Sequence, residues 1–93
     1  MPQLKAAHIN EQGQNMIIFP LDRSFGNKSD YEQSAALEEL ELRANSAGLA
    51  GRAVAFWQQG GSTMFRGPNP WHGFLKSISM SWVQANVNKQ ISW

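Results

Sequence analysis

The chain reads as a small α+β protein: a two-layer sandwich in which a mixed sheet of four to five strands carries two helices on one face. Three observations predict this. Short apolar runs rich in β-branched and aromatic residues alternate with two longer stretches of helical period. Turn residues, among them Gly13, Gly60-Gly61 and Gly67-Pro68, separate them. A length of 93 residues leaves room for one core, so residues 1–93 are taken as a single domain.

Residues 4–9 form a first strand, followed by the polar turn Asn10-Glu11-Gln12-Gly13-Gln14-Asn15 and the apolar run Met16-Ile17-Ile18-Phe19-Pro20-Leu21. The two predict an opening hairpin. Pro20 has no amide proton to give to a ladder, which places it at an edge or near the end of the second strand. Ser29-Asp30-Tyr31-Glu32 is a capping box, in which Ser29 and Glu32 satisfy otherwise orphaned backbone donors. The helix that starts there puts Ala36, Leu37, Leu40, Ala44 and Ala47 on one face, and Gly48 supplies a left-handed stop. Early acids and the late Arg43 suit its dipole.

Arg52-Ala53-Val54-Ala55-Phe56-Trp57 is nearly continuous in apolar character, as expected of a central strand covered on both faces or nearly so. With the run before the helix it makes a βαβ unit. Gly60-Gly61 then turns the chain into a short strand, Thr63-Met64-Phe65-Arg66. Asn69 is an N-cap and Pro70 occupies the first helical position, where its missing donor costs nothing. A second helix is predicted from there to about Asn86, with Trp71, Phe74, Leu75, Ile78, Trp82 and Ala85 as its core stripe. Gln90-Ile91-Ser92-Trp93 closes the chain as a short strand. The order is ββαββα with a possible terminal strand; dropping the first strand gives βαββαβ, the ferredoxin-like split unit, as a competing topology.

Four Trp, five Phe and one Tyr stand against no Cys, so apolar burial and no disulfide holds the fold, as suits a reducing compartment. Met1-Pro2-Gln3-Leu4-Lys5-Ala6-Ala7-His8 lacks the apolar run of a signal peptide and no stretch approaches a bilayer-spanning length, so a cytoplasmic location without a membrane partner is expected. Eight basic against seven acidic side chains give a net charge of +1, with the basic residues scattered, which disfavours a nucleic-acid partner. Asp30, Glu32, Glu38, Glu39 and Glu41 read as a solvated helix face.

The loop before the first helix, with Arg23, Ser24, Gly26, Asn27 and Lys28, leads into a helix N-terminus and is a candidate ligand or anion site. It is not a phosphate-binding loop, because Asp22 and Asn27 stand where that motif needs glycines, and Asp30 and Glu32 place negative charge nearby. His8 and His72 have no metal-ligand spacing, and Asp22, Ser24 and His72 lack any nucleophile-elbow pattern, so neither a metal, a cofactor nor a catalytic set is implied. Arg66-Gly67-Pro68-Asn69-Pro70-Trp71-His72 has the composition of a recognition loop, with Arg66, Trp71 and His72 as its contact residues. Phe19, Trp57 and Phe65 on strands suggest stacking for a single-stranded nucleic acid.

Each helix also carries a second apolar stripe: Tyr31, Ala35 and Leu42 on the first, Met80, Val83 and Val87 on the second. With Ile91 and Trp93, the latter predicts a homo-oligomer interface, most simply a two-fold dimer. The sequence therefore points to a noncatalytic, self-associating interaction module. A small-molecule or anion binder using residues 22–29 is second, and a single-stranded nucleic-acid binder third.

Overall fold

A computed structural model describes residues 3–11 and 13–92. Its strands are β1 (Gln3–Glu11), β2 (Gln14–Pro20), β3 (Arg52–Gln59), β4 (Ser62–Arg66) and β5 (Lys89–Ser92). The helices are α1 (Asp30–Ser46), α2 (His72–Ser77) and α3 (Met80–Ala85), with 3₁₀ turns at Arg23–Asn27 and Asn69–Trp71. Among the described residues the strands form one five-stranded sheet in the order β4-β3-β2-β1-β5. Only β2 and β3 run parallel, joined by the α1 crossover; the other three pairings are antiparallel. The α+β class, the mixed sheet and the ββαββαβ order are as predicted. The ferredoxin-like alternative does not hold, because β1 is an integral strand and β2 and β3 are direct neighbours.

The layering differs from the prediction. Ala6, Ile17, Phe19, Ala53 and Ile91 pack with Ala44, Leu37 and Leu40 of α1. Their sequence neighbours Ala7, Met16, Ile18, Val54 and Phe56 pack with Trp71, Leu75, Met80 and Val83 from the second helical segment. The helices therefore cover opposite faces of the sheet, giving three layers instead of both helices on one face. Period-two alternation explains why: Ile17 and Ile18 point to opposite sides, are both fully buried, and each needs a cover. A single layer of helices would have left half of each central strand in water.

The second predicted helix is two helices. Ile78 (φ −107°, ψ 161°) and Ser79 (φ −117°, ψ 167°) are extended, and Ser79 caps α3 by accepting from the Trp82 amide at 3.2 Å. Ser77 Oγ donates to the Phe74 carbonyl at 2.6 Å. Serines on both sides of a β-branched Ile offer the backbone these local bonds in place of continued helix. The two extended residues reset the rotation of α3 relative to α2. Met80 and Val83, predicted on an outer interface, are 7% and 0% exposed in the core, whereas Ala85, predicted in the core stripe, is exposed.

The interface set is corrected accordingly. Ile91 is buried under α1 beside Leu4. Val87 is half-buried, and Trp93 lies outside the described residues. The second stripe of α1 is exposed as predicted, with Tyr31 82% and Leu42 67% accessible. Among the described residues no helix is long and apolar enough to cross a membrane.

Met80→Lys should thus destabilise the fold itself, because it puts an unpaired charge among buried apolar groups. Leu75→Ala should cost about 2–5 kcal/mol, against less than about 0.5 kcal/mol for Leu42→Ala at the surface. Urea titration followed by circular dichroism compares the three.

Candidate functional site

The strand register gathers a cleft at the end of the sheet where β2 and β3 begin. Met16 lies opposite Arg52, and Glu11 opposite Gln14, so the β1–β2 hairpin end and the first residue of β3 share one rim. Gly51 makes this possible: its φ of +121° suits glycine, and a Cβ there would collide with the backbone carbonyl of Asn15. Glu41 of α1 then fastens the start of β3, its Oε1 accepting from the Ala53 amide and from Arg52 Nε, both at 2.9 Å.

The opposite wall is the loop after β4. Trp71 N donates to the Pro68 carbonyl at 3.0 Å, and His72 Nε2 donates to the Gly67 carbonyl at 3.0 Å. The His72 ring also packs edge-on against Phe65, centroids 5.2 Å apart. A Cβ on Gly67 would sit 3.0 Å from a Val54 methyl, so glycine lets this loop lie flat on β3 without displacing that side chain. Two prolines and these bonds make the wall stiff before any ligand arrives.

Between rim and wall lies a cavity of about 680 Å³ with Met16 in its lining. Glu11, Gln14 and Arg52 supply its polar side; Pro68, Pro70, Trp71 and Phe74 its apolar side. A second cleft of about 230 Å³ on the α1 side shares Arg52 and Pro68 with the first and adds Ser34, Glu38 and Arg66. The two clefts thus meet across the end of the sheet.

The two arginines differ. Arg66 is clamped: Nη1 reaches Gln33 Oε1 at 3.1 Å and Asp30 Oδ1 at 3.3 Å, and Nη2 reaches Ser34 Oγ at 2.8 Å. Gln33, itself buried, donates onward to the Phe25 and Lys28 carbonyls. Arg66 is therefore an anchor tying β4 to α1. Arg52 is 65% exposed and held only through Nε; among the described residues its terminal nitrogens have no protein partner. That leaves the planar end of its guanidinium for a ligand.

The sequence-predicted residues divide between the clefts and the scaffold. The recognition loop does line both clefts, but Trp71 does so from the core, His72 stitches the loop to itself, and Arg66 faces α1. Arg23, Ser24, Gly26, Asn27 and Lys28 line neither cleft. Their loop is packed down by Phe25 meeting Trp57 edge-on at 4.9 Å, with Gly26 against the Trp57 and Gln59 side chains. The helix start behind it is occupied by its own carboxylate: Ser29 N donates to Glu32 Oε1 at 3.0 Å and Glu32 N to Ser29 Oγ at 3.1 Å. His8 donates to the Ala50 carbonyl at 2.9 Å. Among the described residues no three His, Asp or Glu side chains converge as metal ligands. Phe19 and Trp57 are buried beneath α1 and its entry loop, so they present no stacking surface.

Sequence reading missed Glu11, Gln14, Arg52 and Phe74. The prolines signalled a stiff wall, but nothing local signalled which residues would face it. The chain matches no known protein family, no curated protein and no solved structure.

The Ser29 amide, then the Ser29 hydroxyl and the nearby Lys28 charge, hold the Glu32 carboxyl below the usual carboxylate range. A lowered folded-state pKa stabilises above the unfolded value and is lost as pH falls through the folded one. The stability gap between wild type and Glu32→Gln should therefore be wider at neutral pH than in acid, as read by urea titration at both.

Proposed function

We propose that the chain is a noncatalytic binding module for a small molecule that combines a flat apolar ring with an anionic group. The observation that carries this reading is Arg52, an exposed guanidinium bonded only through Nε, which lines the same cavity as the stiff wall of Pro68, Pro70, Trp71 and Phe74. Few sites on a small surface join an apolar wall to an incompletely paired cation, and concave sites of this size and mixed lining are where small ligands bind. Arg52 would take the anion in a bidentate grip, the wall would cover the ring, and Glu11 would accept a hydrogen bond from a donor on the same ligand. The wall is preformed, so little ordering cost falls on binding.

The ligand class is set by those three contacts, which aromatic carboxylates and aromatic amino acids satisfy. Such compounds should raise the melting temperature of the wild type in a concentration-dependent way and perturb its tryptophan fluorescence. Arg52→Ala should weaken binding about 10- to 100-fold, the loss of a charge-assisted contact, while leaving the unliganded melting temperature nearly unchanged. A panel of these compounds that shifts nothing at millimolar concentration, or shifts both proteins equally, overturns the reading.

A further inference from the structure

The two edges of the sheet are guarded very differently. At one edge β5 is four residues long and begins with Lys89. Beyond it, Asn88 closes off β1: its side chain accepts from the His8 amide at 2.9 Å and donates to the His8 carbonyl at 3.0 Å. Short length, lysine and side-chain capping are the usual ways of keeping a strand edge from pairing with another chain.

The other edge, at five residues nearly as short, has no lysine and, among the described residues, no side-chain cap. β4 reads Ser62-Thr63-Met64-Phe65-Arg66, without proline or lysine. Its one charge, Arg66, is drawn onto the α1 face by Asp30, Gln33 and Ser34 and does not shield the edge. Met64 is 42% exposed there, one of the large apolar side chains the fold leaves in water.

Backbone geometry decides what such an edge can pair with. The Gly60-Gly61 turn, with φ of 58° and 82°, is a two-residue hairpin turn that makes Gln59 and Ser62 a hydrogen-bonded pair. Along the ladder, Ser62, Met64 and Arg66 then turn their amide and carbonyl groups to β3, and Thr63 and Phe65 turn theirs outward. A second β4 laid antiparallel across a two-fold axis at Met64 sets Thr63 against Phe65 and Phe65 against Thr63, the very residues whose backbone groups are open. Each of these pairs exchanges both backbone bonds. Met64 meets Met64 of the second copy at the close, non-hydrogen-bonded position, and Arg66 falls opposite Ser62, so no like charges oppose each other.

We propose that β4 is a self-pairing edge through which two copies of this chain join antiparallel at Met64, continuing one sheet through both. The occupant is a second copy because the register is self-complementary in bonds, side chains and charge, as an isologous contact requires. The assembly does not depend on the ligand cleft.

Because the chain has no cysteine, single-cysteine variants report the register directly. Met64→Cys should form a disulfide-linked dimer readily on mild oxidation, since opposed residues at that position lie about 4.5 Å apart at Cα. Thr63→Cys, opposite Phe65 in the proposed register, should link far more slowly. In sedimentation at high micromolar concentration the wild type should be dimeric. Thr63→Pro removes an outward donor while sparing the β3 ladder, and should weaken the dimer about 10- to 100-fold. Met64→Lys, which opposes two like charges, should be monomeric and should melt at the temperature of the wild type diluted until it too is monomeric. A wild type that sediments as a monomer, or equal linking of the two cysteine variants, overturns the proposal.

Discussion

Pairing β2 with β3 in parallel sets the terms for everything else in the molecule. Ile17 beside Ala53 and Ile18 beside Val54 place apolar side chains on both surfaces of the sheet centre at once. The parallel pair needs a long crossover, and α1, in supplying it, covers only one surface. The other surface must be covered by the remaining chain, which is why the segment after β4 returns across the sheet as a 3₁₀ turn, α2 and α3 before the chain reaches its last strand. Burial of about 25 cal/mol per Å² on each side makes this arrangement favourable in a chain with no disulfide.

Much of this was legible in residue order. The capping box at Ser29 and Glu32, the glycine stop at Gly48 (φ 92°) and the Gly60-Gly61 turn each appear where their local chemistry demanded. The uninterrupted runs Met16-Ile17-Ile18-Phe19 and Ala53-Val54-Ala55-Phe56-Trp57 already mean cover on two faces, and that demand outweighs the simplicity of placing both helices together. The break at Ile78 and Ser79 was harder to see, because the helical spacing of Trp71, Leu75, Ile78 and Trp82 continues straight through it. Two serines that bond locally rotated Met80 and Val83 from the surface into the core. No periodicity count can register that, since it assumes one uninterrupted helix.

The cleft was less legible than the fold for a related reason. Its stiff wall is contiguous in sequence, so the prolines and Trp71 announced it. Glu11, Gln14 and Arg52 come from two distant segments and meet only because Met16 pairs with Arg52. The contrast between Arg66 and Arg52 is likewise tertiary: the same residue type is an anchor where Asp30, Gln33 and Ser34 converge on it, and an exposed cation where Glu41 holds one nitrogen. The edge strands obey the same logic, with Asn88 closing one side of the sheet and, among the described residues, no such side-chain cap on the other.

Two-sided burial of the sheet centre can be measured at adjacent residues. In a chain without native cysteine, Ile17→Cys places a thiol under α1 and Ile18→Cys places one under α2 and α3. Both thiols should resist an aromatic disulfide reagent in the folded protein and react only at the rate of global unfolding. If either thiol reacts at the rate of an exposed cysteine while the circular dichroism remains native, one face of the sheet is open and the three-layer arrangement is wrong.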